Sequence, residues 1–248
     1  MAGMKIILFT LLTLNLLFSA TAEQIEQYIA VSNAEERLLQ LEASFSIMQS
    51  GFSEDANGSK SNYDMELLSI RFKEYLQTHL SDNEIAEILD TYRNVVFLQF
   101  KSYSTTSSTE KEQKAYLNSL TNDEENEAST RLAILDDIAK YLKHKEYIGN
   151  MFDELIKPLL QTGKNSGNMN EKNIKKRRDS YVKSMTKGQR EQTFYNLREF
   201  TLEDLETVLR IIKSTEIQRE MKIQHEATFY ALKEFFLSMA SRYDVSKH

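Results

Sequence analysis

The stretch Ser81-Asp82-Asn83-Glu84-Ile85-Ala86-Glu87-Ile88-Leu89-Asp90-Thr91-Tyr92 decides the fold class. Ser81 is a residue type whose hydroxyl accepts a bond from an orphan amide at a helix start. Glu84, three residues on, can return a bond to the cap itself. Ile85, Ile88, Leu89 and Tyr92 then fall at i, i+3, i+4 and i+7, one face of an α-helix. At an offset of 120 residues, Thr201-Leu202-Glu203-Asp204-Leu205-Glu206-Thr207-Val208-Leu209-Arg210-Ile211-Ile212 repeats the arrangement, with Thr201…Asp204 as the cap. The flanks agree: Phe72, Tyr75 and Leu76 precede the first cap, and Phe194, Tyr195 and Leu197 precede the second. A shared phase at one offset predicts an internal duplication, two related helical units packed as one bundle-like body.

Working outward, the other segments read the same way. Ser32…Glu35 and Thr121…Glu124 have the spacing of further caps. Ile25 to Met48 carries apolar residues at Tyr28, Ile29, Leu38, Leu39, Leu41 and Phe45. Leu132, Leu135, Ile138, Ala139 and Leu142 form another stripe, and Ile148, Met151, Phe152, Leu155 and Ile156 a third. Leu202 to about Met239 contains no Gly or Pro and reads as one long helix. Loops are expected at Gly51 to Asn62, Ser102 to Thr109 and Gln161 to Asn173. The fold expected is all-α, with unit 1 over residues 23–120 and unit 2 over 121–248.

Composition excludes the alternatives. Seven Gly and one Pro in 248 residues starve the chain of the turn chemistry that sandwiches and barrels need. With no Cys there is no disulfide, no thiolate metal site and no cysteine nucleophile.

The N-terminus predicts export. Met4-Lys5 precedes the mostly apolar, uncharged run Ile6 to Phe18, and Ser19-Ala20-Thr21-Ala22 then leads into Glu23. A basic start, a short apolar core and an A-x-A end describe a secretory signal peptide over residues 1–22. The run is too short to span a bilayer comfortably, which takes about 20 residues. Cleavage after Ala22 removes Lys5 alone among charged groups, so the net charge of −6 becomes −7. The expected location is periplasmic or secreted, with no membrane span after cleavage.

At these residues a resemblance can be named. Glu84-Ile85-Ala86-Glu87-Ile88-Leu89-Asp90-Thr91-Tyr92-Arg93-Asn94 and Asp204-Leu205-Glu206-Thr207-Val208-Leu209-Arg210-Ile211-Ile212-Lys213-Ser214 resemble the hallmark helix of a widespread family of exported bacterial proteins catalogued only as a domain of unknown function. That hallmark runs approximately acid-Leu-x-x-Leu-Leu-x-Phe-Tyr-x-Ser-x-x-Gly-Gln-Lys. Phe97 and Ile217 stand where it has Gly. The resemblance implies an all-helical exported module and assigns no catalytic residue.

Motifs with chemistry are few. His225-Glu226 opens like a zinc-protease helix, but Phe229 occupies the second ligand position. Gly163-Lys164 has the look of a phosphate loop, yet Pro158 and Asn165 stand at two of its defining positions. No metal, cofactor or catalytic residue is therefore assigned. An alternative, a helical cell-envelope hydrolase, would need an acid in an apolar cleft whose pKa rises so that it can donate a proton. The acidic clusters legible here, such as Asp123-Glu124-Glu125 and Glu203-Asp204, open helices, where the helix dipole accounts for them.

Two surfaces remain as candidates. From Lys164 to Arg190 nine basic residues face Glu171 and Asp179, a local balance of +7 in an otherwise acidic chain. Lys172, Lys175, Lys176, Arg177, Arg178, Lys183 and Lys187 would form a face for an anionic surface or an acidic envelope protein, or dock on the chain's own acidic part. Nucleic acid is not expected outside the cell. Phe229, Tyr230, Phe235, Phe236 and Met239 could line an apolar groove for a ligand or partner helix, or pack between the two units. The function expected is a non-catalytic binding or interaction module of the cell envelope, its ligand and oligomeric state unspecified.

Overall fold

A computed structural model describes residues 19–36, 38–40, 65–103, 108–122, 126–162 and 169–240. The protein is all-α. Besides helical residues at 34–36 and 38–40, the described helices are α1 (Ala22–Ser32), α2 (Met65–His79), α3 (Asp82–Thr91), α4 (Val95–Tyr103), α5 (Glu110–Asn122), α6 (Asn126–Tyr141), α7 (His144–Met151), α8 (Lys157–Thr162), α9 (Glu171–Asn196), α10 (Leu202–Ile212) and α11 (Thr215–Ala240). The β-pairing in the described part amounts to a single bridge between Ser19 and Ser81. None of the described helices is long and apolar enough to cross a membrane.

Both caps that decide the fold form as reciprocal boxes. The Glu84 amide donates to Ser81 Oγ at 3.3 Å while the Ser81 amide donates to Glu84 Oε2 at 2.9 Å. Asp204 and Thr201 exchange the same two bonds at 3.1 and 3.0 Å. Ile85, Ile88 and Tyr92 are buried, as are Leu205, Val208 and Ile212, while Leu89 and Leu209 are half-buried. The joints after the two helices also coincide. Asn94 accepts from the Phe97 amide on its side chain at 3.0 Å, and Ser214 accepts from the Ile217 amide at 3.4 Å.

Several expected boundaries fall elsewhere. Ser32 opens no helix: it is the last residue of α1, which Asn33 ends in the left-handed conformation at φ 52°. The cap of α1 is Thr21, boxed with Gln24. Thr121 is likewise the penultimate residue of α5, its hydroxyl donating to the Leu117 carbonyl at 3.1 Å. The long helix expected from Leu202 breaks at Lys213-Ser214, because the Ser214 side chain offers a new cap that competes with continuation. The loop expected at Gly51 to Asn62 lies outside the described residues, as do residues 1–18 of the expected signal peptide.

One contiguous core runs through both halves of the chain, from Ala20 and Ile25 through Phe72 and Leu135 to Phe236. Helix α11 lies along α2, α3, α8 and α10, and α9 packs on α5, α6 and α7. Ala227 and Ala231, both fully buried, allow close approach on α11. The chain between α7 and α8 winds as a π-helix over Phe152–Ile156, with the Lys157 amide donating to the Phe152 carbonyl. Pro158 lacks an amide and crowds the carbonyl four residues earlier, that of Glu154. The wider turn sits where that crowding arises, and π-turns often mark functional places.

Candidate functional site

The most distinctive feature of the core is a charge. Glu220 on α11 is 1% exposed, where the helical spacing of Ile217, Ile223 and Ala227 places its side chain toward the interior. Three neutral groups converge on its Oε1: Tyr92 Oη at 2.6 Å, Tyr28 Oη at 2.9 Å and Gln224 Nε2 at 3.1 Å. Gln224 also donates to the Tyr28 hydroxyl. The ammonium of Lys101, on α4, stands 3.5 Å from the same oxygen and over the rings of Tyr92 and Phe97 at 5.3 and 5.7 Å. Lys101 is 6% exposed. Glu220 Oε2 is buried with no hydrogen-bond partner. A buried carboxylate survives only when paired and hydrogen-bonded, and α1, α4, α11 and the C-cap of α3 contribute to that pairing here.

Lys101 and Gln224 reach past the pair to the wall of a cavity of about 390 Å3. Phe97, Phe100, Leu142, Met151, Ile217 and Met221 supply its apolar lining. His144, Gln189, Gln192, Thr193, Asn196, His225 and Thr228 supply polar groups. The polar wall is largely one face of the C-terminal half of α9. Gln192 is held there by a chain of amides, accepting from Gln113 at 2.6 Å and donating to Asn196 at 2.6 Å. His144 lies 3.2 Å from Thr193 Oγ1, and burial pushes its pKa down to about 4, so the ring is neutral at pH 7. The His225 ring stacks on Tyr147 at 4.0 Å. Among the described residues no Asp or Glu lines the cavity, and no group of acids and imidazoles could hold a metal ion.

The basic stretch divides in two. Arg178 makes a bidentate pair with Asp153 of the π-helix, at 2.8 and 2.7 Å. Lys187 stands 3.7 Å from Glu191. Arg178 thus ties α9 to the π-helix, whereas Lys187 stays exposed and pairs one turn along its own helix. Lys172, Lys175, Lys176 and Lys183 are exposed on α9 and Arg177 is half-buried. Lys176 and Arg177 edge a groove of about 540 Å3 whose floor is Phe152, Ile156, Leu160, Met169 and Tyr181.

The C-terminal aromatic residues do not share one surface. Phe235 and Phe236 are buried in the core at 2% and 3% exposure, so they cannot line an open groove. Phe229 stacks with Tyr147 at 5.4 Å. Tyr230 is exposed and tilts against Tyr75 at 5.4 Å. The Met239 side chain lies outside the described residues.

Lys101 and Glu220 escaped the sequence reading, although each left a trace. Lys101 is the charge that ends the run Asn94 to Phe100. Glu220 breaks the apolar stripe of α11, and the residue 120 positions earlier is Phe100. No protein-family model, curated protein or solved structure matches the chain.

Proposed function

We propose that this chain is an exported helical binding module of the cell envelope, and that its ligand site is the cavity between α4, α7, α9 and α11. The observation that carries the reading is the lining: an apolar body with a few convergent polar groups, in the size range of small-molecule sites. The alternative of an acid-catalysed hydrolase needs a proton donor facing the ligand. Neither buried carboxylate beside the cavity lines it: Glu220 is engaged by two tyrosines, Gln224 and Lys101, and Glu191 by Lys187.

Export is supported by the signal-like start and by the resemblance of the two capped helices to an exported family. Cleavage after Ala22 leaves Glu23 first and removes both the Thr21 cap and the bond from the Ala20 amide to the Leu80 carbonyl at 2.9 Å. The intact mass of envelope-extracted protein should begin at Glu23; a full-length chain confined to the cytoplasm contradicts export.

The binding site is tested by titrating the purified chain with N-phenyl-1-naphthylamine, a neutral apolar dye. Saturable one-to-one fluorescence enhancement is expected. It should be lost in Met221→Trp, which fills the cavity from a half-buried position, while the circular dichroism stays helical. Enhancement that never saturates, or that survives Met221→Trp unchanged, rejects the site.

A further inference from the structure

We propose that the groove between the π-helix, α8 and the first half of α9 holds an acyl chain of an anionic phospholipid. Its phosphate sits on Lys176 and Arg177, and Lys172, Lys175 and Lys183 meet neighbouring headgroups. This site is a second one, apart from the cavity.

The two walls of the groove differ in chemistry. Phe152, Ile156 and Leu160 recur four residues apart and, with Met169, make one wall apolar. Phe152 and Leu160 form a small cluster with Ile174, beside the main core. The polar groups among the described residues stand on the other wall, where Lys176, Arg177 and Ser180 project from α9. From position 173 to 181 that wall runs about 12 Å along the helix. The groove's volume of about 540 Å3 suits a small-molecule ligand.

The cations beside the groove are uncommitted. Arg178 is engaged by Asp153 and Lys157 by Glu171, but Lys172, Lys175, Lys176, Arg177 and Lys183 take part in no ion pair among the described residues. Asp179, exposed one turn from both Lys175 and Lys183, offsets part of their charge. Lys172 and Lys176 are a like-charge pair at i, i+4, which opposes the helix until an anion joins them. The planar guanidinium of Arg177 suits the oxygens of a phosphate.

The apolar wall decides which anion. Free phosphate would leave it bare. A peptide would lay backbone amides against Phe152, Ile156 and Leu160, whose side chains return no hydrogen bond, and unpaired amides are costly. An acyl chain carries no such groups. The lysines from 172 to 183 also spread over about 16 Å of helix, a span that several headgroups of one leaflet cover.

The test uses dihexanoylphosphatidylglycerol, dihexanoylphosphatidylcholine and glycerol 3-phosphate, each kept monomeric, against the purified chain labelled with 13C-methyl methionine. The Met169 signal should shift and saturate with the phosphatidylglycerol at a concentration at least tenfold below that needed for either other compound. Equal affinity for the phosphatidylcholine removes the charge from the account, and equal affinity for glycerol 3-phosphate removes the chain. A Met169 signal that never moves removes the site. Each of these overturns the proposal. Lys176→Gln/Arg177→Gln should stay helical by circular dichroism and lose at least tenfold in affinity for the phosphatidylglycerol, as two basic contacts to an anionic headgroup imply. Unchanged affinity in the folded variant overturns the proposal. Should that variant fail to fold, Lys176→Gln alone, at an exposed position, should lose about threefold or more, and no loss overturns it too. Lys172→Gln/Lys175→Gln/Lys183→Gln should keep the monomeric affinity within about twofold but lose co-sedimentation with phosphatidylglycerol vesicles at low salt. The reverse pattern contradicts the placing of the phosphate.

Discussion

His144 and the Lys101–Glu220 pair show how burial alone sets the behaviour of single residues. His144 is neutral in the folded protein because its ring is covered, with a pKa lowered from 6.5 to about 4. In that window the unfolded chain binds the proton and the folded chain does not, so stability rises with pH. The contribution is complete above about pH 6.5, is lost as pH falls toward about 4, and amounts to at most about 3 kcal/mol. Denaturant titrations at pH 7 and pH 4.5 should show a smaller acid loss for His144→Asn than for the native protein; equal losses contradict this. Removing one partner of a buried ion pair strands the other at a cost of about 3–5 kcal/mol. Lys101→Met should therefore destabilise by about that much. The double variant Lys101→Met/Glu220→Gln should recover at least about 2 kcal/mol of the summed single losses, as coupled neighbours do. Strict additivity in this cycle rejects the pairing.

At the scale of helices, the caps and apolar phases at 81–92 and 201–212 were legible because they depend on neighbours within one turn. Thr121 misled for a physical reason. A threonine hydroxyl can donate back to a carbonyl within a helix as readily as cap the next one, and Thr121 does the former. The shared burial, boxes and joints at the two stretches support our proposal that they derive from one duplicated unit. Helix α9 shows what periodicity leaves out. Its cations looked equivalent in sequence, yet Arg178 is committed to Asp153, while Lys172, Lys175, Lys176 and Lys183 stand exposed. Each basic residue near an anionic surface contributes roughly 1 kcal/mol. The native chain should co-sediment with anionic vesicles at low salt and be released as salt screens beyond about 8–10 Å. Replacing Lys172, Lys175, Lys176 and Lys183 with Glu should abolish this without lowering the melting temperature. Arg178→Glu should instead lower it. Co-sedimentation that persists in the quadruple variant rejects the face.

For the whole molecule, the all-α class was readable from Gly, Pro and phase, because those are local facts. The cavity was not. Its wall joins Lys101, His144, Gln192 and Gln224, which are scattered over half the chain, and each reads alone as an ordinary helix residue. Only the packing of α11 along α2 and of α9 along α7 brings the neighbourhood together. The same assembly puts Glu220 behind Lys101 and turns an acid in an apolar stripe into half of a neutral pair. The molecule thus combines one contiguous core with a cavity of apolar body and a few polar groups. Its basic groove lies apart, over the π-helix.

Methionine methyl NMR tests that account most directly. Met151, Met185 and Met221 line the cavity from three different helices, whereas Met169 lies in the basic groove. With 13C-methyl-methionine labelling and titration of 1-decanol, the three cavity methyl signals should shift together and saturate at one equivalent while Met169 stays in place. A titration in which the three cavity signals never move, or in which Met169 alone responds, contradicts a ligand site between these helices.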